Sequence, residues 1–317
     1  MTYTLVTTAK NEGPYFLEWV AYHRMIGFDN ILVFQNDSND LTDDILKSLD
    51  RIGAIRYFYN RAVTGRHQVR AYKRAARQPE FRSADWVMAL DMDEFLNIQT
   101  GDRSLDALHA ALPEASEVLI NWRCFGNNGN DRIDDQLMVE KFLMAEADER
   151  VSNWLTPFKT MFRPCHYSRC GIHQARGPLV PDDQIVKVNG SGLPHEQFEQ
   201  RNFRIKDPKR RALAQVNHYV TRDTASFVLK SDKGSAHQAN REIGVDYWKR
   251  RNFNQEIDVT LSQRAPEIRA AMAELDARSD GRLSSLRSQS IKMHQQRFRA
   301  LLDQPDYREL YDFCAAA

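Results

Sequence analysis

The feature that most constrains this chain is the apolar run Trp86 to Leu90, which passes without a turn residue into Asp91-Met92-Asp93-Glu94-Phe95. Such a run is expected of a strand covered on both faces of a sheet, and it delivers carboxylates to the sheet's edge. While the chain stays extended, Asp91 and Asp93 face the same way, because side chains alternate along a strand. Two like charges together in a partly buried crevice repel unless something positive lies between them. A hard divalent cation shared with phosphate oxygens meets that need. The bland alternative is a solvated acidic turn capping the next helix. Position after a hydrophobic strand, with a third acid and an aromatic following at once, favours the metal site. Glu94 reads as a hydrogen-bonding partner of scaffold or ligand, and Phe95 as core.

What precedes the run places it in a sheet. Thr2 to Thr8 alternates and is rich in β-branched residues, and Lys10-Asn11-Glu12-Gly13-Pro14 reads as a loop and helix start. Tyr15 to Ile26 sets Phe16, Trp19, Val20, His23 and Ile26 on one helical face, with Gly27 as its stop. Asn30 to Gln35 is a second strand, closed by Asn36-Asp37-Ser38-Asn39-Asp40. A helix over Thr42 to Ile52, a strand over Ala54 to Tyr59 and a helix over His67 to Arg77, basic on its wet side, complete the alternation. Trp86 to Leu90 is then the fourth strand of a βαβ sheet, in which ligands collect beyond the carboxyl ends of the strands.

Glu117 to Trp122 is a further strand, before a loop rich in glycine and asparagine at residues 125–130. From there to about residue 220 short β segments mix with polar turns. The last third is helical, over Thr224 to Lys230, Tyr247 to Arg251, Ala265 to Leu275 and Ser288 to Leu302. Ile268, Met272 and Leu275 share a face, as do Ile291, His294 and Phe298, so these helices pack on the main domain or on a second copy in a homodimer. The expected class is α/β: a mixed, mainly parallel sheet with helices on both faces. Residues 1–235 form the nucleotide-binding unit and 236–317 a helical extension.

Composition narrows the function. The 317 residues are 42% hydrophobic, enough for a substantial core. Lys plus Arg number 44 against 43 acids, so no global charge draws the chain to nucleic acid or anionic lipid. No basic stripe with interleaved aromatics recurs, and no nucleic-acid partner is expected. No stretch approaches the roughly 20 apolar residues of a membrane span. Cys124, Cys165, Cys170 and Cys314, behind a start without a charged leader, point to a reducing compartment. The expectation is a cytoplasmic protein, with peripheral contact at the inner membrane left open.

Thr8-Ala-Lys-Asn-Glu-Gly13, Phe34-Gln-Asn-Asp-Ser-Asn-Asp40 and Leu90-Asp-Met-Asp-Glu-Phe95 stand at three strand ends. Trp122-Arg-Cys-Phe-Gly126, Lys159-Thr-Met-Phe-Arg-Pro164, Gly171-Ile-His173 and Asn217-His-Tyr219 follow in order. Over about residues 3–235 this series resembles the bacterial family-2-like glycosyltransferases and a related group with an Asp-x-Asp-Glu-Phe signature. The resemblance implies a GT-A fold that binds a nucleotide diphosphate sugar through Mn²⁺ or Mg²⁺ and serves a glycan or other hydroxyl-bearing acceptor. It also implies nucleotide contacts from Lys10, Asn11, Glu12, Asp37 and Asp91. Asp91 and Asp93 would carry the metal, and His218 would complete its shell. Relatives often have a serine-rich loop ending in histidine after the Phe-Gly. Here Asn127-Asn128-Gly129-Asn130 stands there, and Asn130 cannot accept a proton as a base.

Other candidates remain open at this level. His218 reads either as a hydrogen-bonded structural histidine or as a neutral imidazole ligand. His173 and Glu196 are candidate catalytic groups, with Asp131, Asp134, Asp135 and Glu140 as further bases for an acceptor hydroxyl. Lys230 and Lys233 are candidate phosphate ligands; Lys159, Arg163 and Arg222 could also counter a leaving diphosphate. Arg61, Arg66 and Arg70 lie toward the sugar or phosphate side, or on a solvated face. The histidines lack zinc-finger spacing, and no zinc is expected. A nucleotidyltransferase would want a glycine-rich first loop, an Asp-x-Asp phosphatase its nucleophile after the first strand, and a Rossmann oxidoreductase its Gly-x-Gly-x-x-Gly turn. A non-catalytic carbohydrate-binding descendant is the remaining rival, and retention of Asp91, Asp93 and His218 argues against it.

Overall fold

Alternation along the early strands sets the layering of the fold. The computed structural model describes residues 1–61, 67–233 and 243–316. Arg66 and the expected boundary at 235/236 lie outside them. The chain runs β1 (Tyr3–Ala9), α1 (Phe16–Met25), β2 (Asn30–Gln35), α2 (Thr42–Arg51), β3 (Arg56–Tyr59), α3 (His67–Ala75) and β4 (Trp86–Ala89). Tyr3, Leu5, Ile31, Val33, Trp86 and Met88 enter one core with α1 and α2. The alternate residues Val6, Leu32, Phe34, Val87 and Ala89 enter another with Ala71, Tyr72 and Ala75 of α3. Burial on both faces is why these strands read as continuous apolar runs.

The chain continues through β5 (Glu94–Ile98), α4 (Leu105–Ala111), β6 (Glu117–Cys124), β7 (Thr156–Phe162), β8 (Lys187–Asn189) and β9 (Ala214–His218). The main sheet has the order β3-β2-β1-β4-β7-β6-β9-β5, with β8 paired to β6. Strands β1 to β4 are parallel. β7 lies antiparallel between β4 and β6, and β9 runs parallel to β6 and antiparallel to β5. This is the mixed, mainly parallel α/β class expected, with helices on both faces. Because β2 and β3 lie on one side of β1 and β4 on the other, a crevice opens beyond their carboxyl ends, the usual ligand position in such sheets. The carboxyl ends of β6 and β9 reach the same edge.

After β9 comes α5 (Thr224–Lys233), still within residues 1–235, and the extension then consists mainly of α6 (Ala265–Ala277), α7 (Arg282–Leu301) and α8 (Pro305–Ala316). α6 packs on α1, α7 on α2 and α5, and α8 on α5. The last three helices therefore cover the main domain. For the same reason α1 is buried all round from Phe16 to His23 rather than along one face. α7 starts at Arg282, ahead of the expected Ser288, after a turn in which Gly281 takes a φ of +75°. α8 was not expected at all. Among the described residues no helix is long and apolar enough to cross a membrane.

Candidate active site

The loops after β1 and β2 brace each other. Asn11 N donates to Ser38 Oγ (3.0 Å), and Asn39 N donates to Asn11 Oδ1 (2.9 Å). Glu12 N donates to Thr42 Oγ1 (3.0 Å) and Gly13 N to Asp40 Oδ2 (3.1 Å). Asn11 and Asp37 hold φ of +53° and +43°, and Arg222, after β9, holds +53°. Left-handed backbone at a non-glycine residue costs about 1 kcal/mol or more and persists only where surroundings enforce it. These three stand at strand ends facing the crevice. Lys10 and Asp37 are exposed there, and Asp37 accepts a hydrogen bond from the Tyr59 hydroxyl.

The acidic run does not stay extended. Glu94 N donates to Asp91 O (3.0 Å), closing a tight turn, so the extended geometry that would set Asp91 and Asp93 on one face does not hold. Asp91 accepts from Gln68 Nε2 (2.8 Å) and from Lys159 Nζ (2.9 Å). Asp93 Oδ2 accepts from Lys230 Nζ (2.9 Å), and its Oδ1 lies 3.6 Å from His218 Nε2. Glu94 is fully buried; its Oε2 accepts from Asp91 N (2.8 Å) and lies 3.0 Å from Lys159 Nζ. Glu94 Oε1 has no hydrogen-bond partner among the described residues.

One lysine therefore serves two carboxylates. Burial pushes the Glu94 carboxyl up to about 8; Lys159 opposes this, and Asp91 and Asp93 reinforce it. Burial also works against charge on Lys159, yet Asp91 and Glu94 hold its ammonium above the usual range. For Asp93 burial is outweighed by Lys230, His218 and Arg222, which keep it well below the ordinary carboxylate range. Nearby, Glu12 accepts from Arg222 (2.8 Å) and Lys233 (2.6 Å). Those two cations overcome burial and lower the Glu12 carboxyl. Lys230 and Lys233, three apart on α5, share a helical face. Glu12, Asp91, Asp93 and Glu94 thus face Lys159, Arg222, Lys230 and Lys233. With the Glu94 carboxyl raised above neutrality, three carboxylates face four cations, so an incoming phosphate can bind by exchanging partners within the cluster.

Pairing of β9 with β5 sets His218 opposite Glu94 and beside the acidic turn. The His218 ring packs 4.2 Å from Trp122, and its Nδ1 is buried without a partner among the described residues. Burial lowers its pKa, with Asp93 opposing, so the ring is neutral near pH 7. His173 directs Nδ1 at the Phe158 carbonyl (3.0 Å) and lies between Trp122 and Phe203. Burial and Lys159 push it down to about 3. With Nδ1 placed as the donor, Nε2 carries the free lone pair.

The structure does not bring Glu196 into this cluster. It is exposed on the turn His195–Gln197, and its carboxylate has no hydrogen-bond or ion-pair partner among the described residues. Glu140 pairs with Arg269, Asp134 with Lys141 and Asp131 with Arg132, while Asp135 is exposed. Arg163 is turned away, over Trp86 and toward the Ala115 carbonyl. Arg61 and Arg70 are exposed.

Sequence reasoning missed Gln68, whose amide holds Asp91, and read His294 as a helix-packing residue. His294 Nε2 instead lies 2.6 Å from Asp40 Oδ2, and both side chains are buried. The available signal was Ser290 and His294, two polar residues four apart on an otherwise apolar face.

Among the described residues, no three His, Cys, Asp or Glu side chains converge as a metal-binding group. The donors nevertheless fit a divalent ion by type. Asp93 offers a carboxylate and His218 a neutral imidazole, and their 3.6 Å separation is close to the roughly 3 Å between adjacent ligands on an ion with bonds of about 2.1 Å. Asp91 would have to release Gln68 or Lys159 to join them.

A doubly covered α/β sheet with a charged crevice at its switch point is the architecture of a ligand-binding α/β enzyme. The model of glycosyltransferase family 92 matches residues 8–197, and the chain belongs to that family. The motifs alone pointed to a family-2-like enzyme; the match keeps the glycosyltransferase and assigns family 92. A family 92 protein of Oryza sativa subsp. japonica is 26% identical over 131 residues, 40% of this chain and 22% of the relative. One of Ricinus communis is 28% identical over 138 residues, 42% of this chain and 24% of the relative. The match thus spans about a quarter of these relatives' length. Among solved structures, S. aureus TarS 1-349 in complex with UDP has 17% identity and a TM-score of 0.34, over 52% of this chain and 47% of that one. Glucosyl-3-phosphoglycerate synthase of Mycobacterium tuberculosis, with Mn²⁺, UDP and glucosyl-3-phosphoglycerate, has 14% identity and a TM-score of 0.32, over 63% and 72%.

Proposed function

We propose that this chain transfers a sugar from a nucleotide diphosphate donor to a hydroxyl-bearing acceptor, a glycan or small molecule. The crevice beyond β1, β2, β4 and β9 is the donor site, within a catalytic unit of residues 1–235. The observation that carries the reading is the Asp93, His218 and Lys230 group beside the Glu12, Arg222 and Lys233 group. Carboxylate and imidazole suited to a divalent ion stand next to cations suited to a diphosphate. The four free cysteines accord with action in a reducing, cytoplasmic setting.

A bound Mn²⁺ or Mg²⁺ would offset negative charge growing on the departing diphosphate. Asp93 and His218 would hold it, with Asp91 joining on donor binding. Lys10, Asn11, Glu12 and Asp37 line the nucleoside side of the crevice. Lys230, Lys233 and Arg222 exchange carboxylate partners for phosphate oxygens, forming charge-assisted hydrogen bonds where charge develops. The acceptor oxygen bonds to the sugar's anomeric carbon as the bond to the diphosphate oxygen breaks, its electron pair leaving with the diphosphate. His173 Nε2 takes the acceptor proton. Negative charge brought by the donor raises the basicity of this histidine from its depressed starting point.

Calorimetric titration with UDP and GDP, with and without Mn²⁺ and with Asp93→Ala, tests the reading. Metal-dependent binding that disappears in the variant is the expected outcome. Tight binding indifferent to both metal and substitution would move the nucleotide away from Asp91 and Asp93. Absence of binding to either diphosphate would overturn the transferase assignment.

A further inference from the structure

A line of rings leaves the acidic cluster and reaches the surface. His218, beside Asp93, packs 4.2 Å from Trp122, which lies 5.1 Å from His173. His173 stacks on Phe203 at 4.5 Å with 15° between the ring planes. Trp122 is 8% exposed and Phe203 38%. Phe203 follows Asn202 (φ +51°) in the two-residue turn between Gln200–Arg201 and Arg204–Ile205. Such turns favour glycine, asparagine and aspartate, and a phenylalanine there serves neither the turn nor, at its exposure, the core.

The hairpin is fixed in place. Arg204 and Ile205 pair with Pro157 and Thr156 at the start of β7. β7 is antiparallel to β6 with Phe158 opposite Asn121, so its start lies at the carboxyl end of β6, on the crevice side. Phe158 N donates to Phe203 O (3.3 Å), and Gln174 Nε2 donates to Asn202 O (2.6 Å). Polar groups flank the rings. Trp122 Nε1 is buried without a partner among the described residues. His173 has Nε2 free beside it, and the Arg204 guanidinium lies 5.4 Å from the Phe203 ring.

We propose that Trp122, His173 and Phe203 form the acceptor subsite, in which a pyranose ring packs on the face of Phe203 that His173 leaves open, its hydroxyls meeting His173 Nε2 and Arg204, with Trp122 backing the stack. Rows of C–H bonds on one face of a pyranose match an aromatic surface, and the hydroxyls at its rim require polar partners, the combination expected of a specific small-ligand site. The inference rests on the transferase reading and deepens it. Sheet order supplies the direction. The nucleotide loops belong to β1 and β2, on one side of β4, while the ladder stands on β6 and β7, on the other. A sugar transferred between them crosses the acidic turn and His218.

The full chain, saturated with UDP and Mn²⁺, would be applied to an oligosaccharide array as wild type, Phe203→Ala and Phe203→Trp, with UDP titrated calorimetrically in parallel. Wild type is expected to retain a subset of glycans. Phe203→Ala should weaken that binding by about tenfold, equivalent to ~1.4 kcal/mol, Phe203→Trp should restore it, and UDP affinity should stay within about twofold. Undiminished glycan binding by Phe203→Ala overturns the subsite. So does failure of wild type to retain any glycan while still binding UDP, an outcome that leaves the donor site standing. Loss of UDP binding by wild type itself would instead remove the transferase reading, and the platform with it.

Discussion

Replacing His294 with alanine should loosen the proposed donor loop after β1 from a distance. The imidazole, on α7, pairs with Asp40 Oδ2 at 2.6 Å. Asp40 in turn accepts from Gly13 N (3.1 Å), Thr42 N (3.1 Å) and Thr42 Oγ1 (2.6 Å), and Thr42 Oγ1 accepts from Glu12 N (3.0 Å). One side chain of the C-terminal extension thus steadies the loop that carries Asn11 and Glu12. Asp40 is 4% exposed and His294 9%, so solvent cannot replace the lost partner easily. Breaking a buried pair costs about 3–5 kcal/mol. The lower end applies because Asp40 keeps three other hydrogen bonds. At about 2 °C per kcal/mol for a large domain, Tm should fall by about 6 °C.

Circular dichroism melts of His294→Ala, Asp40→Asn and the double variant would measure this. The double variant should lose clearly less than the sum of the singles, because the two groups share one interaction. UDP affinity should weaken in each. The pH profile adds a signed test. Burial would raise the Asp40 carboxyl, but His294, Thr42 and Gly13 together lower it. A lowered carboxyl contributes stability above its unfolded value of about 3.9 and loses it as pH falls through the folded value. His294→Ala should therefore flatten the acid limb of the stability curve. A Tm within about 1 °C of wild type, or strictly additive losses, would refute the coupling.

Two further outcomes follow from the same core. A methyl group at Gly13 would overlap Ser290 Oγ and sit 3.0 Å from the Asp40 carbonyl. Gly13→Ala should therefore destabilise by about 1–3 kcal/mol, and Ser290→Gly in the same chain should recover part of it in a urea midpoint. Glu94, raised to about 8 by burial, binds its proton more tightly folded than unfolded. Stability should decline as pH rises from about 4.3 toward 8. Glu94→Gln should remove that slope in urea midpoints taken across the window, and an unchanged slope would mean that Glu94 is already ionised.

The sheet was legible because its strands are buried on both faces. Asn30–Gln35 and Trp86–Ala89 are apolar in nearly every position and end abruptly in polar loops. The elements of the βαβ half follow from period alone. Asp93, His218 and Lys230 were named from the sequence and are adjacent in the structure. The relation of Asp91 to Asp93 was not legible, since the Asp91 to Glu94 turn removes the premise of an inference drawn from an extended strand. Glu196 had a plausible chemistry and no signal for position, because residues 125–220 supply short strands whose pairings are long-range. Phe203 was invisible for a related reason, since a lone aromatic in a turn acquires meaning only from partners far away in sequence, and the polar pair Ser290 and His294, though visible on an apolar face, did not name Asp40 as its partner.

Those long-range partners bear on how the chain is divided. A boundary near residue 235 treats the later helices as an annex, yet Ser290 closes against Gly13 and His294 holds Asp40. Arg287 Nε donates to the Pro14 carbonyl (3.0 Å), and α6 buries the outer side of α1. α5, just before the boundary, carries Lys230 and Lys233 into the charge cluster, and α7 and α8 pack on α5 in turn. The proposed donor site is therefore held from two directions, by the sheet beneath and by the C-terminal helices across its first loop. Truncation after residue 235 would leave the named nucleotide and metal residues in the chain while removing what fixes Asn11, Glu12 and Lys233 in register. On the proposed reading the helical extension acts as a positioning element of the binding site, even though, among the described residues, none of its side chains enters the charge cluster.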